Sequence, residues 1–412
     1  METFFQSDSK FSLLLGSDVL SPYFYLVLIT GVYLSIRLGF PQVRFLFLSL
    51  KILTGNMDFK GSKGQLVHSQ AFFAGISSSL LTGSIIGTAL AVAYGGIGVI
   101  FWIWLVTFLI MPLRFVSSTL AVKFRNQLPS GRYLSGPMYF IEKSLRAKWL
   151  AVAFSFTAIL TVLSFGGVFP FLSLTFIAKE GLNFSGMSGP ISISVILLFI
   201  VVGGIRRVGK AASFIAPLGL ILFILAYFSL FGSDLSPFFP YLKEIFVQAF
   251  TLKAIEGGGL FGILRTISVS LGVFFLSTET GIGKSAGLAG VVRTDYAAKQ
   301  GLVSMLATFF EGFIMATMIG FVLYSFGAVT VESVLAFPER ILENRESLPA
   351  IMLFSAILLF GVLSLAGWFY TGEQSAFYIF GEKFANFFRM LFVGSILSSA
   401  YLYITNGETV FL

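Results

Sequence analysis

Two apolar stretches of the chain are interrupted by residues that can bind ions. The first reads Ser77-Ser78-Ser79-Leu80-Leu81-Thr82-Gly83-Ser84-Ile85-Ile86-Gly87-Thr88, and the second Leu276-Ser277-Thr278-Glu279-Thr280-Gly281-Ile282-Gly283-Lys284-Ser285. Glycine and hydroxyl residues lower helix propensity, and a helix broken at mid-membrane exposes N–H groups at one broken end and carbonyls at the other. The positive half-helix end attracts a carboxylate, while carbonyls and Ser or Thr hydroxyls are hard ligands for a small cation. Small residues also permit close helix packing, so each segment alone serves either reading. The pair favours a site, because Glu279 lies inside the second break and an intramembrane carboxylate is costly unless paired or used. For Glu311, structural pairing and ion coupling both stay open. Glu373, about two turns from a span end, reads as a capping or salt-bridge residue. Trp368 either walls an apolar pocket or simply packs.

Such breaks need membrane-spanning helices around them. Of the 412 residues, 56% are hydrophobic and 11% charged, against roughly 25% charged in an average soluble domain. Only lipid can solvate that much apolar surface, and then only helices or closed barrels satisfy the backbone. The apolar runs are about 18 to 30 residues long, whereas barrel strands need about 9 to 11. The chain therefore reads as one all-α integral membrane domain over 1–412. Its ten expected spans lie near 22–39, 70–94, 98–121, 149–177, 189–205, 211–231, 258–290, 300–328, 349–380 and 388–404. The connections 232–257 and 329–348 read as loops. The two breaks fall in the second and seventh spans, five apart, which is the spacing of an inverted repeat.

Charge supports the phase of these spans. One alternate set of loops and span ends, from Arg37 to Arg389 and including Lys284, holds nineteen lysines and arginines; the other holds six. By the positive-inside rule the first set is cytoplasmic and both termini face outward. Arg114 and Arg265 lie deeper in apolar segments, where snorkelling to a helix end is favoured over a pore-lining role. The net charge of +8 follows from these short loops and not from a basic run, so no nucleic-acid partner is expected. The N-terminal stretch carries no pattern of a cleavable signal peptide.

Enzyme signatures are missing where chemistry would need them. There is no cysteine and a single histidine, His68, expected in a surface role at a loop or helix entrance, with proton sensing the less favoured reading. Neither a Walker loop nor a Cys/His cluster occurs, and Gly257-Gly258-Gly259 lacks a strand-then-helix context. No prosthetic group is expected.

Several segments resemble the alanine or glycine:cation symporter family: Gly95-Gly96-Ile97-Gly98 followed by Phe101-Trp102-Ile103-Trp104, Thr119-Leu120-Ala121-Val122-Lys123-Phe124-Arg125, Gly136-Pro137-Met138-Tyr139-Phe140-Ile141-Glu142-Lys143, Gly203-Gly204-Ile205-Arg206-Arg207 and Lys299-Gln300-Gly301-Leu302-Val303. The likeness runs from about residue 22 to 400. It implies a leucine-transporter-type fold of five plus five inverted helices after one extra N-terminal helix, here with the family's last helix missing. It also implies sodium-driven uptake of a small amino acid at the bacterial inner membrane.

The family's G-T-G-N resembles Leu81-Thr82-Gly83-Ser84, and its S-N-E-A-G-x-G resembles Ser277-Thr278-Glu279-Thr280-Gly281-Ile282-Gly283, so amides give way to hydroxyls. Its G-N-M-V-Q-x-N reads Gly167-Val168-Phe169-Pro170-Phe171-Leu172-Ser173, with Phe171 in place of a glutamine. Carried over, Thr82, Gly83, Ser84 and Gly87 would meet the substrate carboxylate, and Ser277, Thr278, Thr280 and Gly281 would offer backbone polar groups. Phe171 and Trp368 would line the apolar side. Sodium would lie near Leu81, the Ser84 carbonyl and the Ser364 hydroxyl, with Glu279 and Glu311 as coupling candidates. A non-transporting, sensor-like paralogue, a proton-coupled permease and a channel are the rival expectations.

Overall fold

The computed structural model describes residues 22–55, 57, 61–231, 236–251, 272, 283–330, 333, 341, 343 and 346–406. Among them six helices are long and apolar enough to cross a bilayer, or seven when one bent pair counts as a single span. Two shorter apolar helices, Tyr25–Arg37 and Ser188–Val202, coincide with two further expected spans. The expected span 258–290 is described only at residue 272 and from residue 283 on. The connection 232–257 is not simply a loop: it contains a helix, Phe238–Thr251, whose 14 residues are too few to stand out in a membrane-length window.

In chain order the elements that position the site are α1 (Pro22–Arg37), the bent pair α2 (His68–Ser79) and α3 (Thr88–Gly95), and α4 (Val99–Lys123). A two-stranded hairpin follows, β1 (Asn126–Gln127) with β2 (Tyr133–Leu134). Next come α5 (Lys148–Thr161), α6 (Val168–Phe176) and α7 (Gly204–Phe231). The set closes with α8 (Lys284–Gly290), α9 (Ala297–Phe309), α10 (Leu348–Phe380) and α11 (Glu382–Asn406).

Local chemistry sets the ends of these helices. Gln70 Oε1 accepts the Val67 N–H at the start of α2 (3.1 Å), satisfying one of the orphan donors there. Helix α10 opens with Ser347 accepting the Ala350 N–H and Pro349 in its first turn. It stops at Gly381, whose φ of 79° a residue with a Cβ adopts only at a cost. At 33 residues it is about 50 Å long, longer than the roughly 30 Å hydrocarbon core, so part of it projects beyond the apolar layer.

The buried apolar residues form two large clusters. One gathers α4 and α9 around Ile100, Ile103, Val303 and Leu306. The other gathers α6, α7 and α11 with one half of α10, around Phe171, Leu174, Leu197, Trp368 and Phe392. Glycines bring the helices of each cluster together: a Cβ at Gly301 would lie 2.7 Å from the Phe115 carbonyl, and one at Gly361 would lie 2.8 Å from Leu174 Cγ. The bent span belongs to both clusters. Phe72, Ile76 and Leu80 face the first, while Ala71, Ala74 and Leu81 face the second. It therefore occupies the seam between two packed bodies. Large apolar side chains left uncovered on the outside, among them Phe47, Trp149, Phe199 and Phe214, form the lipid-facing surface of a multi-pass membrane protein.

Candidate functional site

The first interruption is a bend and not an unwound gap. Ser77 and Ser78 turn their hydroxyls back onto the carbonyls of Phe73 (2.5 Å) and Gly75 (2.8 Å). Such back-bonding bends a helix. The chain then runs through a π-helical stretch, Leu80–Gly87, and the two halves of the span meet at 47°. Wide π turns of this kind concentrate at functional sites.

Two consecutive residues of the bend are held from different elements. The carbonyl of Ser78 accepts from Lys284 Nζ (2.7 Å) and from Ser364 Oγ (2.9 Å). The hydroxyl of Ser79 donates to Glu311 Oε1 (2.8 Å), which Arg114 also reaches (3.3 Å). The Lys284 ammonium lies 4.0 Å from the centre of the Trp368 ring, a cation–π distance.

Three expectations need correction here. Lys284, counted with the cytoplasmic loop charges, is 2% exposed and lies against the bend; taking it from that set leaves the loop asymmetry standing. Arg114 does not snorkel, because its acid partner sits beside it within the helix bundle. His68 does begin a helix, but it is 1% exposed and its Nδ1 lies 2.7 Å from Gln300 Oε1, so it has no surface role. In each case a polar partner distant in sequence replaces water, which hydropathy alone does not register.

The remaining candidates divide. Thr82 and Gly83 lie within the π stretch, and Leu81, Ser84 and Gly87 are buried in it. The Ser84 carbonyl accepts the Thr88 N–H as the helix resumes. Among the described residues Ser84 Oγ, Thr88 Oγ1 and Trp368 Nε1 are buried without a hydrogen-bond partner. Phe171 and Trp368 share one apolar cluster with Leu81. Ser277, Thr278, Glu279, Thr280, Gly281 and Arg265 lie outside the described residues. Glu311 is ion-paired with Arg114, and Glu373 forms ion pairs with Arg132 (2.9 Å) and Arg389 (2.6 Å), as expected.

Sequence reasoning missed Lys284, Ser78 and Ser79 as a unit. A signal existed: a lone lysine directly after Gly281-Ile282-Gly283 in an apolar stretch has a functional role as its default reading.

A tie outside the apolar layer joins the two interrupted segments. Gln65 N–H donates to Val291 O and Arg293 N–H to Leu66 O, both at 2.7 Å, as Leu66 and Val292 pair in parallel. Arg125 clamps this joint, donating to the carbonyls of Val292 (2.6 Å), Gly290 (3.1 Å) and Lys63 (2.7 Å). Burial draws its guanidinium below the ordinary arginine value, against the opposing pull of Tyr133, yet arginine stays charged at neutral pH. Replacing Arg125 by lysine removes the fork that spans three carbonyls and is expected to cost about 2 kcal/mol. Thermal unfolding in detergent measures it, and an unchanged midpoint would show the clamp to be idle.

A family model described as the sodium:alanine symporter family matches residues 11–407. The chain belongs to the sodium:alanine symporter family. Relatives include the sodium/alanine symporter AgcS of Methanococcus maripaludis, 30% identical over 394 residues, or 92% of this chain and 85% of the relative. The amino-acid carrier protein AlsT of Bacillus subtilis is 30% identical over 96% of this chain and 84% of its own length. The probable sodium/glutamine symporter GlnT of the same organism is 30% identical over 85% of this chain and 73% of its own length. Membership of the sodium:alanine symporter family places the bend, with its buried polar groups, in a transport protein.

Proposed function

We propose that the chain carries a small amino acid across the membrane by alternating access, with the substrate at the bend between the two apolar clusters. The observation that carries this reading is the set of buried hydroxyls without partners, Ser84 Oγ and Thr88 Oγ1, on the span that belongs to both clusters. A buried polar group left unmatched costs about 1–3 kcal/mol, and a zwitterionic ligand repays it. Thr82, Gly83 and Gly87 flank those hydroxyls, and Phe171 and Trp368 supply the apolar wall. Two packed bodies meeting at one bent span are the arrangement a rocking motion needs. Ten crossings in an inverted repeat, with both termini outside, belong to the same reading.

The relatives' names offer alanine or glutamine as substrate and sodium as driver. A small neutral side chain suits a pocket walled by Phe171 and Trp368. Sodium suits the bend less well, because the Ser364 hydroxyl is already given to the Ser78 carbonyl, which also holds an ammonium.

Counterflow of labelled alanine into proteoliposomes tests the reading. Ser84→Ala is expected to slow it at least tenfold while the thermal midpoint stays within about a degree, since no protein partner is lost. Wild-type-like counterflow by Ser84→Ala removes this residue from the site. No counterflow by the wild type, across a panel of amino acids, would leave a non-transporting paralogue.

A further inference from the structure

We propose that the Lys284 ammonium is a resident cation that stands where a coupling metal ion would bind at the bend, so that transport runs without sodium. The inference rests on the transport reading above.

The locus is built around the lysine. The Ser78 carbonyl offers two lone pairs, and Lys284 Nζ at 2.7 Å and Ser364 Oγ at 2.9 Å both converge on it. Ser364 is the hydroxyl that the family resemblance assigns to sodium, and it is fully buried beside the ammonium. The Trp368 face, 4.0 Å from Nζ, adds the negative side of a ring quadrupole. A sodium ion drawn to the same oxygens would meet a fixed positive charge at contact range in a site with little water to screen it.

The backbone aims the lysine. Gly283, with φ at 89°, turns the chain immediately before α8, a turn that a Cβ would obstruct through Pro137. Gly367 lets the bend close onto α10: a Cβ there would lie 2.5 Å from Ser78 Cβ, with Lys284 Cε at ordinary contact distance. At its far end α8 is fixed by the Arg125 clamp on Gly290 and Val292. Position, wall and counter-dipole are thus all supplied by the fold. A tethered charge differs from a bound ion in one functional respect: it cannot leave with the substrate, so it stabilises the bend in every access state without adding an ion to the cargo.

The full chain in proteoliposomes decides the matter by alanine counterflow in sodium, potassium and choline media. The expected wild-type rates agree within about twofold, and rates more than tenfold higher in sodium overturn the proposal. Lys284→Ala is expected to fall at least tenfold in choline and to recover several-fold in sodium, because the vacated oxygens become a cation site. Lys284→Met, which keeps much of the side-chain volume, should behave alike, and Lys284→Arg should remain insensitive to sodium. Loss of rate with no recovery in sodium would make the ammonium a structural prop and end the ion-substitution claim; so would full activity of Lys284→Ala in choline.

A second measurement needs no substrate. Sodium chloride, against choline chloride, is expected to leave the wild-type unfolding temperature unchanged and to raise that of Lys284→Ala by several degrees. A saturable sodium-specific rise in the wild type overturns the inference even if no labelled amino acid is ever transported, whereas absent counterflow with no such rise refutes only the transport reading.

Discussion

Replacing Glu311 by alanine is expected to destabilise the protein by about 3–5 kcal/mol, the usual consequence of leaving one partner of a buried ion pair behind. Arg114 is 5% exposed and Glu311 1% exposed, and their side chains meet at 3.3 Å deep in the first apolar cluster. Without the acid, a guanidinium would remain among apolar side chains, and Ser79 would lose the oxygen to which it donates at 2.8 Å. Ser79→Ala removes only that hydrogen bond and is expected to cost about 1 kcal/mol. The double variant Arg114→Met with Glu311→Leu removes both charges and should recover most of the loss, as apolar replacements of buried pairs often do. Thermal or denaturant unfolding in detergent reads the cycle. A Glu311→Ala protein within 1 kcal/mol of wild type, a threshold well below the cost of a stranded buried charge, would mean that Arg114 finds another acceptor.

The second large effect is expected at Glu373. It is 1% exposed on α10 and binds Arg132 beside β2 and Arg389 of α11, so one carboxylate holds three elements. Removing it strands two arginines, but their side chains are 27% and 28% exposed and water can take over part of its role. Glu373→Ala is accordingly expected to cost about 2–4 kcal/mol, less than a fully buried pair. Limited trypsin digestion adds a local readout, because cleavage after Arg132 should accelerate once the hairpin is released. Unchanged digestion and an unchanged unfolding midpoint would show that the arginines hold the hairpin by other means. Since Glu373 sits one turn and a half beyond Trp368 on the same helix, roughly 7–8 Å along its axis, its loss also bears on the wall of the site.

Much of this architecture is legible in the residues because it depends on composition and local sequence. Lipid-length apolar runs announce α4, α7 and α10, and the hydroxyl and glycine content of Ser77 to Thr88 marks the bend. Glu373 is readable for a similar reason, since a carboxylate near a span end has few roles. What escapes is pairing. Arg114 and Glu311 are 197 positions apart, and Lys284 and Ser78 are 206 apart. Hydropathy weighs each of them as a cost, with no account of the partner that offsets it. Lys284 was open to a further misreading, because Gly283 before it and Ser285 after it look like loop on composition alone. The three serines were misleading in another way. Their hydroxyls suggest an opened helix, yet those of Ser77 and Ser78 are satisfied by carbonyls of their own preceding turn and that of Ser79 by Glu311, so the chain bends through π turns without coming apart. The second interruption, Ser277 to Gly281, lies outside the described residues and keeps its sequence reading.

The joint between Leu66 and Val292 also bears on biogenesis. A ribosome releases roughly 5–20 residues per second and domains mature from the N-terminus onward, so the bent span enters the bilayer long before its strand partner and its lysine exist. Until the chain beyond Arg293 has been synthesised, the Ser78 carbonyl must wait in lipid or in the company of the insertion machinery, and the Arg125 fork in water. Nascent chains truncated before residue 284 should therefore be the species that quality-control proteases and insertion chaperones hold longest.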